Sequence, residues 1–255
     1  NLTTGDNTND VDWANGSFAL DDDWSLTMGS MRQADNRRDL IGDQNQMTLQ
    51  DNDYTVGTGA MLSYAGDDMR MWAQLFNNAG NGAAANASSY NYTLRGEFMV
   101  EGAGWGQFDG FSCADGAAAG TLLGFSYSGH DEGDSAATNG SETTWTLDAQ
   151  MQWSGMGLYV AYSDFSDDDD ATQDSDTLYV QGSYFLNGDW EAYVAYTDTD
   201  GSAAAPLDGN IWTIGVNSYW AGQNARWTIE YNMNEQGVAA NTDVATIATQ
   251  LQFYF

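Results

Sequence analysis

The sequence has no lysine, and it contains one proline, one cysteine and one histidine in 255 residues. Six arginines face 37 aspartates and glutamates, so the formal net charge is −31. Ordinary nucleic-acid binding is excluded because this chain lacks the basic surface that phosphates require. A lone cysteine, Cys113, also excludes an internal disulfide framework and a cysteine-rich metal site.

Long apolar runs are missing as well. A transmembrane helix is excluded because no stretch of about 18 apolar residues occurs. The chain opens on Asn1 and shows no signal peptide, which indicates a processed, trimmed or incomplete sequence. A polar composition is still compatible with a membrane β-barrel, whose strands place only alternate residues against lipid.

Glycine and aromatic residues are abundant instead: there are 29 Gly, 10 Trp, 14 Tyr and 10 Phe. This composition favours strands joined by tight turns. The clearest strand is "WTLDAQMQW" at 145–153, where Trp145, Leu147, Met151 and Trp153 share one face and polar residues share the other. Aromatic ends around an aliphatic centre are typical of a lipid-facing barrel strand.

Short Gly, Asn and Asp turns alternate with long polar segments along most of the chain, as in outer-membrane barrels. The stretch 102–120 is the exception, because it is long where a short turn is expected. Thirteen strands are predicted, at 17–20, 24–30, 54–64, 69–77, 90–101, 121–128, 143–153, 156–165, 177–186, 190–198, 210–220, 225–232 and 244–255. We therefore predict an all-β fold, a transmembrane antiparallel β-barrel forming a single domain over 1–255. The odd strand count suggests that further strands precede residue 17.

Several stretches carry a family resemblance: "DDDWSLTMGSMRQ", "GAGWGQFDGFSCADG", "LYVQGSYFLNGDWEAYVAY", "IWTIGVNSYWAGQNARWTIEY" and the terminal "QLQFYF". From about Trp13 onward the sequence resembles the C-terminal part of the phosphate-selective porin O and P family of outer-membrane channels. The resemblance implies a barrel of about sixteen strands that forms homotrimers, with about three strands upstream of Asn1. It also implies that Leu251, Phe253 and Phe255 form the signal read by the barrel-assembly machinery. Phosphate selectivity does not carry over, since this chain lacks the lysines that serve it.

The polar faces of the strands would line a water-filled lumen. The candidate pore-lining residues are Arg95, Glu97, Asp148, Gln150, Gln152, Gln181, Glu191, Arg226, Glu230, Gln250 and Gln252. Their placement depends on the register of each strand. The alternative is that most of them only hydrate the wall and recognise no solute.

Segment 31–53 holds Arg32, Arg37 and Arg38, which are half of the arginines. In the resembling family the loop at this place folds back and narrows the channel. An inward fold would give an arginine cluster opposed by acids, whose field orients polar solutes. A solvated external loop that balances its own aspartates is the alternative.

Other candidate sites are weaker. Asp167, Asp168, Asp169 and Asp170 could hold loosely bound calcium, but the glycine-containing spacing of an EF-hand is absent, which favours a solvated loop. His130 lies beside acids, but no recognisable motif supplies a nucleophile, so we expect no enzymatic activity. Cys113 is expected to be inert on the periplasmic side.

The sequence therefore predicts an outer-membrane porin in contact with lipid: a wide, weakly selective passive channel for small polar or charged solutes, without a cofactor. Its acidic vestibule favours a mild preference for cations. The rival hypothesis is an envelope structural or interaction protein, anchored by its barrel, whose acidic external loops bind cations or a surface partner.

Overall fold

The computed structural model describes residues 14–42, 45–49, 55–77, 90–131, 141–168, 174–201, 209–221, 224–236 and 244–253. They form one antiparallel sheet of 13 strands, and each strand pairs with its neighbours in sequence. The strands are β1 (Asn15–Ala19), β2 (Trp24–Arg32), β3 (Val56–Ala65), β4 (Met69–Asn77), β5 (Tyr90–Glu101), β6 (Gly120–Asp131), β7 (Ser141–Trp153), β8 (Met156–Asp167), β9 (Ser175–Asn187), β10 (Trp190–Gly201), β11 (Gly209–Tyr219), β12 (Ala225–Gln236) and β13 (Val244–Phe253). A helix α1 (Arg37–Leu40) and a 3-10 helix (Trp105–Phe108) lie in two of the connections.

The all-β barrel class is confirmed, and so is the number of strands. Several strands nevertheless run further into the polar segments than predicted: β10 continues to Gly201 and β12 to Gln236. The ladder continues because its hydrogen bonds join backbone groups and need no apolar side chains. β1 lies at Asn15–Ala19, slightly earlier than the predicted 17–20.

Short turns close one end of the sheet, which we call the short-turn end; the opposite end is the long-segment end. The β7–β8 turn contains Ser154 and Gly155, both with positive φ, as the tight primed turns of hairpins require. In the β9–β10 turn the Asn187 side-chain oxygen accepts hydrogen bonds from the backbone N–H groups of Asp189 and Trp190. These local interactions explain why hairpins form where the sequence places Gly, Asn and Asp.

The two faces of the sheet differ sharply in polarity. In β7, Leu147 is 51% exposed on the outer face, whereas Asp148 and Gln150 are buried on the inner face. Leu251 and Phe253 are also more than half exposed on the outer face of β13. A sheet with apolar residues outside and polar residues inside has the polarity of a membrane barrel wall. No helix among the described residues is long and apolar enough to cross a bilayer.

Leu147→Arg is expected to lower the free energy of unfolding by about 2–4 kcal/mol, because it places a cation against lipid near the middle of the wall. Denaturant titration of the protein refolded in lipid vesicles measures this change. Asp189→Arg, at an exposed turn, is the matched control and should have little effect. Equal stability of the two variants would contradict an outer face in contact with lipid.

Candidate functional site

Two connections cover the inner face of the sheet. We call them the β2–β3 segment (33–55, of which the structure describes 33–42, 45–49 and 55) and the β5–β6 segment (102–119). The first comes from the long-segment end and the second from the short-turn end. Both lie against the polar face, so the described part of the inner face is covered from both ends; the width of the pore stays a prediction.

The β2–β3 segment crosses the sheet from β4 to β12. Near its start, the Ala34 backbone N–H donates to the side-chain oxygen of Gln74 at 2.9 Å. Near its end, the Leu49 N–H donates to the Glu230 carboxylate at 2.7 Å. Of the two interpretations of segment 31–53, the structure therefore shows the inward one, and a solvated external loop is wrong for its described part.

A capped turn of helix at the centre of this segment holds Arg37 in position. The Asn36 side-chain oxygen accepts a hydrogen bond from the Arg38 N–H at 2.8 Å, and the Asp39 carboxylate accepts one from the Asn36 N–H at 2.9 Å. This reciprocal capping fixes the first turn of α1. Arg37 consequently points at the sheet and is only 4% exposed.

Arg37 completes a buried ion cluster, which we define as Arg37, Arg95, Glu97 and Asp148. Glu97 bridges both guanidinium groups, at 2.9 Å from Arg37 and 2.8 Å from Arg95. Arg95 also lies 2.8 Å from the Asp148 carboxylate. Two cations and two anions make the cluster neutral, and this mutual pairing offsets the high cost of removing each charge from water.

Gly124 provides the space for this cluster. It lies between Glu97 and Asp148 in the register of β5, β6 and β7. A Cβ at this position would lie 2.4 Å from the Asp148 carboxylate and 2.5 Å from the Arg95 guanidinium. Only glycine at the inner position of β6 lets Arg95 reach across to Asp148.

A second polar network holds carboxylates without a direct ion pair among the described residues. The Glu191 carboxylate accepts hydrogen bonds from the Tyr219 hydroxyl at 2.6 Å and the Ser112 hydroxyl at 2.8 Å. Glu230 accepts one from the Tyr193 hydroxyl at 2.8 Å, in addition to the Leu49 N–H. Both carboxylates therefore bind the covering segments to the wall.

Three of the predicted site arginines are not members of the ion cluster: Arg226, Arg38 and Arg32. Arg226 donates to the Gln46 backbone oxygen at 2.5 Å and to the Gln252 side chain at 2.9 Å. The Arg38 guanidinium lies 4.3 Å from the centre of the Tyr179 ring, a cation–π contact. Arg32 is half-buried at the end of β2. Arg37 and Arg38, which are neighbours in the loop, therefore have different partners, Glu97 and the Tyr179 ring.

The β5–β6 segment is held by glutamines of β7. The side chains of Gln150 and Gln152 both donate to the Gly110 backbone oxygen, at 2.7 and 3.0 Å. Cys113 in the same segment is buried, and its place on the periplasmic side stays a prediction. The unexpected length of 102–120 was the sequence signal for an unusual connection between β5 and β6. The alternation of polar and apolar residues within strands gives no information about whether such a connection folds inward.

The two segments meet inside the sheet. Arg37 donates to the Phe108 backbone oxygen, and the Asn45 side chain donates to the Asp109 backbone oxygen at 3.0 Å. Beside this junction lies an apolar cluster formed by Ile41, Met47, Phe111, Tyr159, Ala161, Tyr179, Tyr193 and Ala195. Apolar contact thus seats both segments against the aromatic residues of β8, β9 and β10.

A disulfide between the segments should form if cysteines replace Asn45 and Gly110. A Cβ on Gly110 would lie 3.3 Å from the Asn45 Cβ, close to the separation of about 3.5–4.5 Å in disulfides. We expect oxidation of the refolded double variant, in a Cys113→Ser background, to give a reducible shift in gel mobility. The Asn45→Cys/Gly188→Cys variant, with one cysteine in the distant β9–β10 turn, should give none. Cross-linking of both variants, or of neither, would contradict the junction.

The strand residues predicted to line the pore all lie on the inner face. Arg95, Glu97, Asp148, Gln150, Gln152, Gln181, Glu191, Arg226 and Glu230 are each at most 7% exposed. Gln250 is exposed and Gln252 half-buried on the edge strand β13. The structure brings Arg95, Glu97, Asp148 and Gln150 together around Arg37 and leaves Glu191 and Glu230 in the second network. Whether solutes pass these residues stays a prediction.

The remaining predicted sites are only partly described. Phe255, Asp169 and Asp170 lie outside the described residues. The Asp168 carboxylate accepts a hydrogen bond from Ser141 at 2.6 Å, and the Asp167 N–H donates to Asp174 at 2.9 Å. Over the described part of the chain, no group of three or more His, Cys, Asp or Glu side chains could hold a metal ion. Calcium binding stays a prediction.

No protein-family model and no curated protein matches the sequence. Among solved structures, the outer-membrane expressed OmpT of Vibrio cholerae is similar, with a TM-score of 0.57 and 14% identity over 91% of this chain and 75% of OmpT. Its loop L8 deletion mutant has a TM-score of 0.60 and 13% identity over 91% and 76%. OccD3 of Pseudomonas aeruginosa has a TM-score of 0.49 and 9% identity over 91% and 75%. The chain has the fold of outer-membrane β-barrel proteins, while the narrower resemblance to phosphate-selective porins stays a hypothesis.

Proposed function

We propose that the chain is an outer-membrane porin, a passive diffusion channel whose interior is narrowed by the β2–β3 and β5–β6 segments. The observation that carries this proposal is the polarity of the sheet: exposed apolar residues outside, and charged and amide side chains inside. Lipid on the outer face and polar solutes on the inner face are the partners that suit such a wall. The outer-membrane fold of the similar structures supports this location.

The ion cluster and the second network give the proposed channel its constriction. They hold both segments by charge-assisted hydrogen bonds, which are stronger and better oriented than neutral ones. The solutes that pass are small and polar, because the inner face of the wall carries carboxylates, amides and guanidinium groups. Homotrimer formation, insertion by the barrel-assembly machinery and the absence of enzymatic activity are further parts of this proposal.

One observation favours the alternative of a barrel-anchored envelope protein. The inner-face residues named above are buried beneath the segments, as in a plugged barrel. Planar-bilayer recording of the purified protein separates the two functions. A porin gives steady, stepwise current, whereas a plugged anchor gives none, and the absence of current would overturn the channel proposal.

The channel should show a mild preference for cations that grows at low salt, since its excess acids act over a Debye length of about 8 Å at physiological ionic strength. Arg32→Gln with Arg38→Gln should increase this preference, because it removes two positive charges while leaving Arg37 paired with Glu97. Reversal potentials in a salt gradient measure the effect, and Asp189→Asn at an exposed turn is the control. Strong anion selectivity of the unmodified channel would instead support the phosphate channel that the family resemblance suggests.

A further inference from the structure

A cavity of about 300 Å³ lies at the long-segment end, between the wall and the β2–β3 segment. Its wall side includes Asn91, His130 and Glu142, which stand in line across β5, β6 and β7. Its opposite side includes Gln33 and Asp35 of the segment. A volume of this size accommodates a small organic molecule, at the lower end of the range for ligand pockets.

The cavity adjoins the ion cluster, because Asp35 of its lining contacts Arg95 of the cluster. The Asp35 backbone oxygen accepts hydrogen bonds from the Arg95 guanidinium at 3.3 Å and from the Ser126 hydroxyl. Arg95 itself is bound to Glu97 and Asp148. The Arg95 guanidinium is therefore committed to these partners and does not provide an anion site.

The lining offers negative charge and hydrogen-bond acceptors. Asp35 and Glu142 are the acidic residues among the described lining, which also includes His130. The His130 Nδ1 lies 2.5 Å from the Asn91 side-chain oxygen and therefore donates to it, which leaves Nε2 as an acceptor when the ring is neutral. Burial raises the pKa of the Asp35 carboxyl, although hydrogen bonds from Ser128 and Gln33 and the charge of Arg95 act in the opposite direction.

We propose that this cavity is a binding site for a small organic cation that carries a guanidinium or ammonium group. Its charge would meet Asp35 and Glu142, and its N–H groups would donate to the carboxylates and to the side-chain oxygens around them. A bound cation would also offset the cost of burying the Asp35 carboxylate. Binding at this site does not require that the ligand cross the barrel. The binding proposal can therefore be tested independently of the proposed channel.

The His130 imidazole can report ligand binding in the cavity, because it is the single histidine of the chain. Histidine-selective isotope labelling of the protein refolded in micelles gives one imidazole signal, located in the cavity wall. Titration with methylguanidinium is expected to shift this signal saturably at constant pH. Methylurea, the neutral analogue of the same shape, should bind about tenfold more weakly, because it lacks the charge-assisted hydrogen bonds.

Substitutions of Asp35 and Glu142 test whether these two carboxylates bind the cation. Asp35→Asn and Glu142→Gln should each weaken methylguanidinium binding by about tenfold. Asp189→Asn and Glu101→Gln, which lie exposed at the short-turn end, are the matched controls and should leave it unchanged. Equal binding of methylguanidinium and methylurea by the unmodified protein would overturn the proposal even if a variant failed to fold. Absence of a saturable shift, or tighter binding of methyl phosphate, would overturn it as well.

Discussion

Glu97→Gln is expected to lower the free energy of unfolding by about 3–5 kcal/mol, the usual cost of removing one partner from a buried ion pair. Glu97 is 1% exposed and neutralises two guanidinium groups, those of Arg37 and Arg95. The glutamine keeps the shape of the side chain and removes only its charge. Two buried cations would then share the single carboxylate of Asp148. Denaturant titration in vesicles measures the loss.

The control for this prediction lies on the same strand. Glu101→Gln makes the identical chemical change at an exposed position and should be nearly neutral. Adding Arg37→Gln to Glu97→Gln should recover part of the lost stability, because it removes one of the unpaired cations. If Glu97→Gln cost no more than Glu101→Gln, the ion cluster would not hold the β2–β3 segment in place.

Replacing residues 36–47 by a short Gly-Ser linker is expected to raise the single-channel conductance severalfold. These residues carry Arg37, Ile41 and Met47, which contact the inner face and its aromatic residues. Without them the buried polar side chains of the wall become accessible to water, and the path for ions widens. Planar-bilayer recording gives the size of the conductance steps.

Two further variants sharpen this test. Met47→Asp, which places a charge in the apolar cluster, should unseat the segment and raise the conductance without a deletion. The oxidised Asn45→Cys/Gly110→Cys variant, whose segments are tied together, should keep the low conductance of the unmodified protein. A linker variant that inserts normally but conducts like its parent would show that the segment is not the constriction.

The positions of the strands could be predicted because their evidence is local. Residues 145–153 alternate between apolar and polar, and any sheet that buries the polar face must place Leu147 outside and Asp148 inside. The turns at 154–155 and 188–189 were predictable for the same reason, since a few adjacent Gly, Asn and Asp residues determine them. Strand ends in the polar segments were less well predicted, because backbone pairing there leaves no trace in side-chain polarity.

The partners of the inner-face residues could not be predicted in this way. Arg37 and Glu97 are 60 residues apart, and Leu49 and Glu230 are 181 residues apart. No periodicity within one strand indicates which distant segment covers it. Nothing in the sequence around Gly124 indicates that Arg95 and Asp148 lie next to it in the structure.

The sequence by itself thus determined an antiparallel wall with one apolar and one polar face, because alternation along each strand is a local property of the chain. Only the tertiary structure decided that the polar face is covered from both ends, that its charges pair as Arg37, Arg95, Glu97 and Asp148, and that a cavity with Asp35 and Glu142 remains above them. The physical reason is that buried charges are stable only with partners of opposite charge. Those partners come together only when the connections fold against the inner face of the sheet.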